Sequence, residues 1–414
     1  RLTQGQLHTR RTMEVGVSIE RAIELANEIP LLFGTQIQPL ADSHDMVLAK
    51  SLESMVDDPR FDNSAMDGWA VKEADCTNPN SKLEIIGTIQ AGSSELIEVK
   101  HGQACRVMTG APIPPGADSI VMIEDTLVID GYVTINGPAR PHFIRMQGEN
   151  LTEGEVGLQS GSKLKPAQLA MAAMMGYAEI PVITPPKIAI IGTGDELVEP
   201  GQPLLSGQIY ESNTTALVGL VSEMGCEPVK YPFVTDDLGS LRNTFDLAAS
   251  ECDAILTSGG VSMGEWDLVR RLMEEEGEVK FWKVLIKPGG PPLFGTWKNT
   301  PLFGLPGNPV SSQIVFLSIV VPWISKSCGY HPTQGPKLYD KVRVKLLSAA
   351  AGTKRKVTLR RIQILEKGDI FVGDVPQNQG SGNLRSMVNC NGLTFLPIGV
   401  DGKSGDTIDA LWLR

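Results

Sequence analysis

The 414-residue chain has few cysteines, and the six it has are scattered: Cys76, Cys105, Cys226, Cys252, Cys328 and Cys390. No CxxC and no neighbouring histidine pair accompanies them. That excludes a zinc module and a disulfide framework, and fits reduced thiols in a cytoplasm. Long apolar runs are missing as well. The longest, Ile314 to Ile324, is broken by Ser318 and Pro322, so no membrane span is predicted. The first fifteen residues carry three arginines and no apolar segment, which rules out a secretory signal there. Lacking Met at position 1, they are expected to be a frayed tail or an expression remnant. Positive charge is in deficit too, and a net charge of −11 argues against nucleic acid as a partner. A local basic pocket remains open, with Lys283, Lys287, Arg270 and Arg271 as candidates.

What is present is ordinary for a globular protein: 42% apolar and 21% charged residues. The length predicts about two to four domains. The most informative stretch runs from Lys187 to Gly329. Three times an apolar run ends in a glycine-rich turn with a helix to follow: Lys187–Ile191 before Gly192-Thr-Gly-Asp-Glu-Leu197, Asp253–Leu256 before Thr257-Ser-Gly-Gly-Val-Ser-Met-Gly264, and Pro301–Phe303 before Gly304-Leu-Pro-Gly-Asn-Pro-Val-Ser311. Strand, helix and strand repeated in this way call for parallel pairing with right-handed crossovers, a doubly wound α/β domain. Its turns gather at the carboxyl edge of the sheet, where ligands bind. Glycine lets backbone approach phosphate, and helix N-termini favour anions. Asp195, Glu196 and Asp267 stand among these turns, which suggests a divalent cation beside the phosphate.

Elsewhere Ser18 predicts a helix over 19–28, a second helix is expected over 46–55, and Pro166 opens one through Met175, with Asn213 capping another through Met224. Met171, Met174 and Met175 at helical spacing read as core packing. Between the outer helices, short runs such as Ala104–Met108 and Tyr132–Ile135 alternate with Gly, Pro and Asn, which reads as a small β domain inserted into a helical one. The predicted layout is a split helical segment (16–58 and 148–183), an inserted β domain (59–147), an α/β domain (184–335) and a C-terminal β domain (336–414).

Five motifs then occur in order: Asp62-Asn-Ser-Ala-Met-Asp-Gly-Trp-Ala-Val71, Met108-Thr-Gly-Ala-Pro-Ile-Pro114, Thr193-Gly-Asp-Glu-Leu197, Ser258-Gly-Gly-Val-Ser-Met-Gly264 and Gly304-Leu-Pro-Gly-Asn-Pro-Val-Ser311. Together they resemble the molybdopterin molybdenumtransferases, the MoeA family that includes the gephyrin E domains. The resemblance implies the same four-part architecture with a MogA-like α/β domain, in a cytoplasmic homodimer whose site is shared between subunits. It implies insertion of molybdate into adenylylated molybdopterin, with Mg²⁺ assisting and AMP released. Molybdopterin adenylyltransferase and apo-molybdoenzymes or their chaperones would be the partners.

Carried over motif by motif, Asp67, Glu196, Asp236, Lys283 and Lys287 would be catalytic. Asp195, Glu196 and Asp236 would hold the cation, although Asp195 and Asp236 could equally be helix caps. Thr109, Thr193, Ser258, Gly259, Gly260, Ser262, Asp267, Pro306 and Ser381 would bind substrate, with Thr109 and Asp67 coming from the partner subunit. Gln379-Gly-Ser381 and Arg385 resemble a loop facing the pocket. Two positions depart from the family pattern. Its Lys-Pro-Gly-Lys-Pro turn is here Lys287-Pro-Gly-Gly-Pro291, and its Arg-Arg-Gly-Glu-Asp is Arg145-Met-Gln-Gly-Glu-Asn150. Those departures keep alive a different expectation, a catalytically weakened molybdopterin carrier or scaffold. Adenylylation of molybdopterin is a third, since the α/β domain resembles that of the adenylyltransferases.

Overall fold

The computed structural model describes residues 13–94, 97–235, 237–262 and 267–414. Asp236 and the stretch 263–266 therefore lie outside the described residues. The central element is a seven-stranded sheet in the order Glu14–Val17, Glu278–Val284, Leu293–Trp297, Thr300–Leu305, Ala254–Ser258, Lys187–Gly192 and Glu227–Lys230. The strands that feed the glycine turns are parallel neighbours, as their helical crossovers require. The sheet is mixed, however. Leu293–Trp297 runs antiparallel to both its neighbours, because the tight Lys298-Asn299 turn returns the chain without a crossover. Helices cover both faces: Asn213–Glu223 and the continuous Pro309–Ser327 on one, Leu238–Glu251 and Leu268–Glu276 on the other. Pro309–Ser327 is long and apolar enough to span a membrane, yet 72% of it is buried in this protein's own core.

Five local expectations are corrected. Glu14–Val17 is no tail but an edge strand paired with Glu278–Val284, an interaction between residues too distant in sequence to be read locally. The helix over 46–55 does not form. Leu48 and Leu52 are buried four apart, a spacing that suits a helix, but they lie on extended backbone. There Leu48 N–H donates to Ser162 O (2.9 Å), and Leu52 pairs in a short ladder with Leu158. The helices at 19–27 and 166–174 fall in separate clusters, and the two halves of the split segment meet instead through Leu48 and Leu52. Ile19–Asn27, capped by Ser18 (3.1 Å to Arg21 N), packs into the α/β core beside Trp323. Pro166–Met174 instead joins a separate cluster with Leu48, Leu158 and Val182. Met175 and Met171 belong to that cluster, while Met174 is exposed. Lastly, Ser212 rather than Asn213 occupies the cap position of the next helix.

The inserted region is a six-stranded sheet from Gly68–Val71 to Tyr132–Ile135. The C-terminal region is a closed five-stranded barrel (Tyr339–Leu346, Ile370–Asp374, Arg361–Lys367, Gly392–Phe395, Thr407–Leu413). The barrel is stitched to the α/β domain by a parallel pairing of Ile286-Lys287 with Val357-Thr358. All six thiols are unpaired, and burial pushes Cys76 up to about 11 and Cys328 to about 12.

Candidate active site between the sheet edge and the barrel

The three glycine turns meet at the carboxyl edge of the sheet and form one wall of a cleft of about 1370 Å³, whose other wall is the barrel. Its floor is Ser258-Gly259-Gly260. Gly259 and Gly260 take φ of +103° and +67°, which L side chains rarely adopt. A Cβ on Gly259 would sit 2.7 Å from Thr193 Oγ1 and 2.8 Å from Thr193 O, so the second turn lies directly against the first. Thr193 N–H donates to Ser258 O (3.1 Å), and Gly259 N–H to Leu305 O (3.0 Å), which locks all three turns together. Asn213 completes the lock. Its Nδ2 donates to Ser258 Oγ (2.8 Å) and to Gly307 O (2.7 Å). The sequence shows an asparagine near a helix start, and a cap is the local reading. Only the meeting of distant turns reveals a staple.

Thr193, Ser258, Gly259, Gly260, Ser262, Asp267, Pro306 and Ser381 all line this cleft, as do Glu196 and Lys287. Glu196 is exposed and folds back over Gly194, where an added Cβ would lie 2.5 Å from its Oε2. Asp195 neighbours it at the same exposed strand end. Glu211, a further acid in the wall, is buried and accepts from Thr214 N–H (2.7 Å) and Thr214 Oγ1 (2.6 Å), so it serves the helix start.

Other expected residues lie elsewhere. Lys283, at φ +66°, sets its Nζ 4.1 Å from the indole centroid of Trp282, whose ring also carries Arg270 at 3.9 Å. It is not among the residues that line the cleft, and neither is Arg385. Asp67 and Thr109 are brought together in the inserted domain. Thr109 N–H and Oγ1 donate to Asp67 Oδ1 at 2.7 and 2.9 Å, and these bonds hold the Asp67 carboxyl below the usual range. Both are exposed, and neither reaches the cleft of its own chain.

The barrel wall is what sequence reading missed. Lys354, Arg355, Lys356, Arg360 and Arg361 join Lys287 there, so among the described residues six cations and three carboxylates, Glu196, Glu211 and Asp267, line the cleft. Arg361 is fully buried, and burial lowers its pKa. Its Nε donates to Ser386 Oγ (2.9 Å) and its Nη2 to Gly380 O (3.0 Å), while its backbone N–H donates to Gln379 Oε1 (2.9 Å). Arg361 thereby shapes the Gln379–Ser381 loop. It also leaves a buried positive charge in a wall facing solvent, which favours an anionic ligand. The Lys354-Arg-Lys356 run was the available signal, but only the Ile286–Val357 seam turns it toward the sheet edge.

The departure at Asn150 has a local cause. Its Nδ2 donates to Asp58 Oδ2 (3.1 Å) and its N–H to Asp58 O (3.0 Å). Asn150→Asp is expected to set two carboxylates face to face. Thermal melts at neutral pH should record a loss of ~1 kcal/mol. An unchanged melt at neutral pH would disprove this account.

Known proteins match along the whole length. Residues 17–176 match the MoeA N-terminal region (domain I and II), 189–326 a probable molybdopterin binding domain, and 343–413 the MoeA C-terminal region (domain IV). The chain is 36% identical to the molybdopterin molybdenumtransferase of Haemophilus influenzae over 372 residues, covering 89% of this chain and 91% of that protein. It is 33% identical to the Nostoc molybdopterin molybdenumtransferase over 377 residues, covering 88% and 85%. The crystal structure of the molybdopterin biosynthesis moeA protein from Pyrococcus horikoshii OT3 superposes with a TM-score of 0.83 at 28% identity, covering 96% of this chain and all of that one. With matches that follow one another in domain order and relatives that run nearly end to end, the chain belongs to the MoeA family of molybdopterin molybdenumtransferases, enzymes of molybdenum cofactor biosynthesis.

Proposed function

We propose that the cleft takes adenylylated molybdopterin and molybdate, and releases AMP with the metal-loaded pterin. The observation that carries this is the pairing of a left-handed glycine floor, Ser258-Gly259-Gly260, with a cationic barrel wall across one cleft. Backbone amides on that floor suit a terminal phosphate, and Lys287 and Arg361 suit the tetrahedral oxyanions that meet opposite it. Asp267, at the start of the next helix, lines the same space and would face the pterin.

The donor set also suits Mg²⁺. Among the described residues no cluster of three or more His, Cys, Asp or Glu could hold an ion alone, whereas Mg²⁺ usually binds through one or two carboxylates plus substrate phosphates. Glu196 and Asp195 would supply those carboxylates, and by the family resemblance Asp236 would add a third. The cation would neutralise charge on the phosphoryl oxygens of the pyrophosphate link. Glu196 also orients the attacking water. Asp67 and Thr109 reach the substrate from the inserted domain of a second subunit, which makes the working unit a homodimer.

The test is AMP release from adenylylated molybdopterin with Mg²⁺ and micromolar molybdate. Molybdate-dependent release is expected. Tight pterin binding with no AMP would replace the reading by a carrier, and consumption of ATP by an adenylyltransferase.

A further inference from the structure

Asn213 is placed so that its amide decides how one hydroxyl of the glycine floor is oriented. It stands first in the helix Asn213–Glu223, and its Nδ2 lies 2.7 Å from Gly307 O and 2.8 Å from Ser258 Oγ. A carbonyl oxygen only accepts, so the group between these two partners is the NH₂ and not the amide oxygen. Both of its N–H bonds are thereby engaged, one by Gly307 O and one by Ser258 Oγ. Ser258 Oγ is then an acceptor toward Asn213, and its own proton must point elsewhere.

Among the described residues, the Ser258 hydroxyl donates to no acceptor. The backbone that carries it is fixed. Ser258 O accepts from Thr193 N–H (3.1 Å) and from Thr193 Oγ1 (3.4 Å), and the residue pairs in parallel register with Gly192 and Leu305. Ser258 is only 4% exposed, yet it lines the cleft. A nearly buried hydroxyl with a spare proton on a cleft wall is costly until a ligand oxygen accepts from it. The chemistry this favours is an oxyanion whose oxygens all accept, such as a phosphate monoester, and a ligand group that can only donate is disfavoured there.

We infer that Asn213 is a positioning residue for the phosphate on the glycine floor: by donating to Ser258 Oγ it commits that hydroxyl to donate into the cleft. Asn213 acts through Ser258 and does not itself hold the phosphate. Its bond to Gly307 O is enough to staple the turns, whereas its bond to Ser258 sets the polarity of the site. The inference rests on the reading of Ser258-Gly259-Gly260 as a phosphate site, and adds an oriented side-chain donor to the backbone amides there. It predicts that Asn213 matters to the phosphate only while Ser258 keeps its hydroxyl.

The experiment titrates the full-length protein with molybdopterin and with molybdopterin from which a phosphatase has removed the phosphate. The ratio of the two affinities reads the phosphate contact alone, and binding of the dephosphorylated form reports that a variant is folded. Wild type should prefer the phosphorylated ligand. Ser258→Ala is expected to lower that preference about tenfold, the usual scale for losing a hydrogen bond to a charged group. Asn213→Ala should lower it about fivefold, because the released hydroxyl turns to other orientations. The double variant should stay within about twofold of Ser258→Ala, since no hydroxyl is left to orient. A staple with no other role would weaken both ligands alike. An unchanged preference in Asn213→Ala, or losses that multiply in the double variant, would overturn the inference. Equal binding of the two ligands by wild type would overturn it together with the phosphate floor. AMP release from adenylylated molybdopterin is measured alongside. The expected pattern without AMP release would keep the role of Asn213 and remove the transferase reading, whereas AMP release with an unchanged preference in Asn213→Ala would remove only the inference.

Discussion

Asp67→Asn and Glu196→Gln are each expected to cut molybdate-dependent AMP release by about a hundredfold or more, the scale on which a positioned acid–base or charge-bearing group acts. The Asp67 substitution is informative because of its partners. Asparagine keeps an oxygen for Thr109 N–H and Oγ1, so the loop geometry survives while the charge goes. Glu196→Gln likewise keeps length and removes charge over Gly194. The sharper result comes from mixing the two inactive proteins under subunit exchange. If each site takes Asp67 from one subunit and Glu196 from the other, a mixed dimer holds one wild-type site and one doubly substituted site. Random pairing makes half the dimers mixed, so roughly a quarter of wild-type activity should return. No recovery would put both residues in the same subunit's site, or would remove one of them from the chemistry.

Gly259→Ala is expected to abolish measurable pterin binding, a loss of about a hundredfold or more. The added methyl would enter space held by Thr193 O and Oγ1 at 2.8 and 2.7 Å. Thr193 cannot withdraw, because its N–H is bonded to Ser258 O at 3.1 Å, within the same floor. The φ of +103° adds strain of ~1–3 kcal/mol for any L side chain, so the melting temperature should fall as well. Gly219→Ala is the control for handling and folding. Gly219 lies within the helix Asn213–Glu223 with nothing within 4 Å of an added Cβ, and alanine there should hold or raise stability by ~0.5–1 kcal/mol. Wild-type pterin affinity in Gly259→Ala would mean that the glycine floor is not the phosphate site.

Much of this was legible in the sequence because it rests on local periodicity and turn chemistry. The parallel strands before each glycine turn, the Ser18 cap and the Pro166 start all follow from residues within a few positions of one another. The misreadings share one cause. Leu48 and Leu52 fit two periods at once, and only pairing with Ser162 and Leu158 chooses the extended one. Glu14–Val17 is a strand solely because Glu278–Val284 offers it an edge.

The site divides along the same line. By itself the sequence determined the glycine turns, the carboxylates beside them and the family, since each is a short run whose chemistry does not depend on the rest of the chain. Only the tertiary structure decided which cations meet those turns. It set Lys283 on the Trp282 indole, made Asn213 a staple, and buried Arg361 behind the Gln379–Ser381 loop. It also brought Lys356 to within 2.8 Å of where a side chain at 290 would begin. A lysine's charge is written in the sequence, but where that charge is applied depends on backbone hydrogen bonds closed across some seventy residues, from Leu285 to Val357.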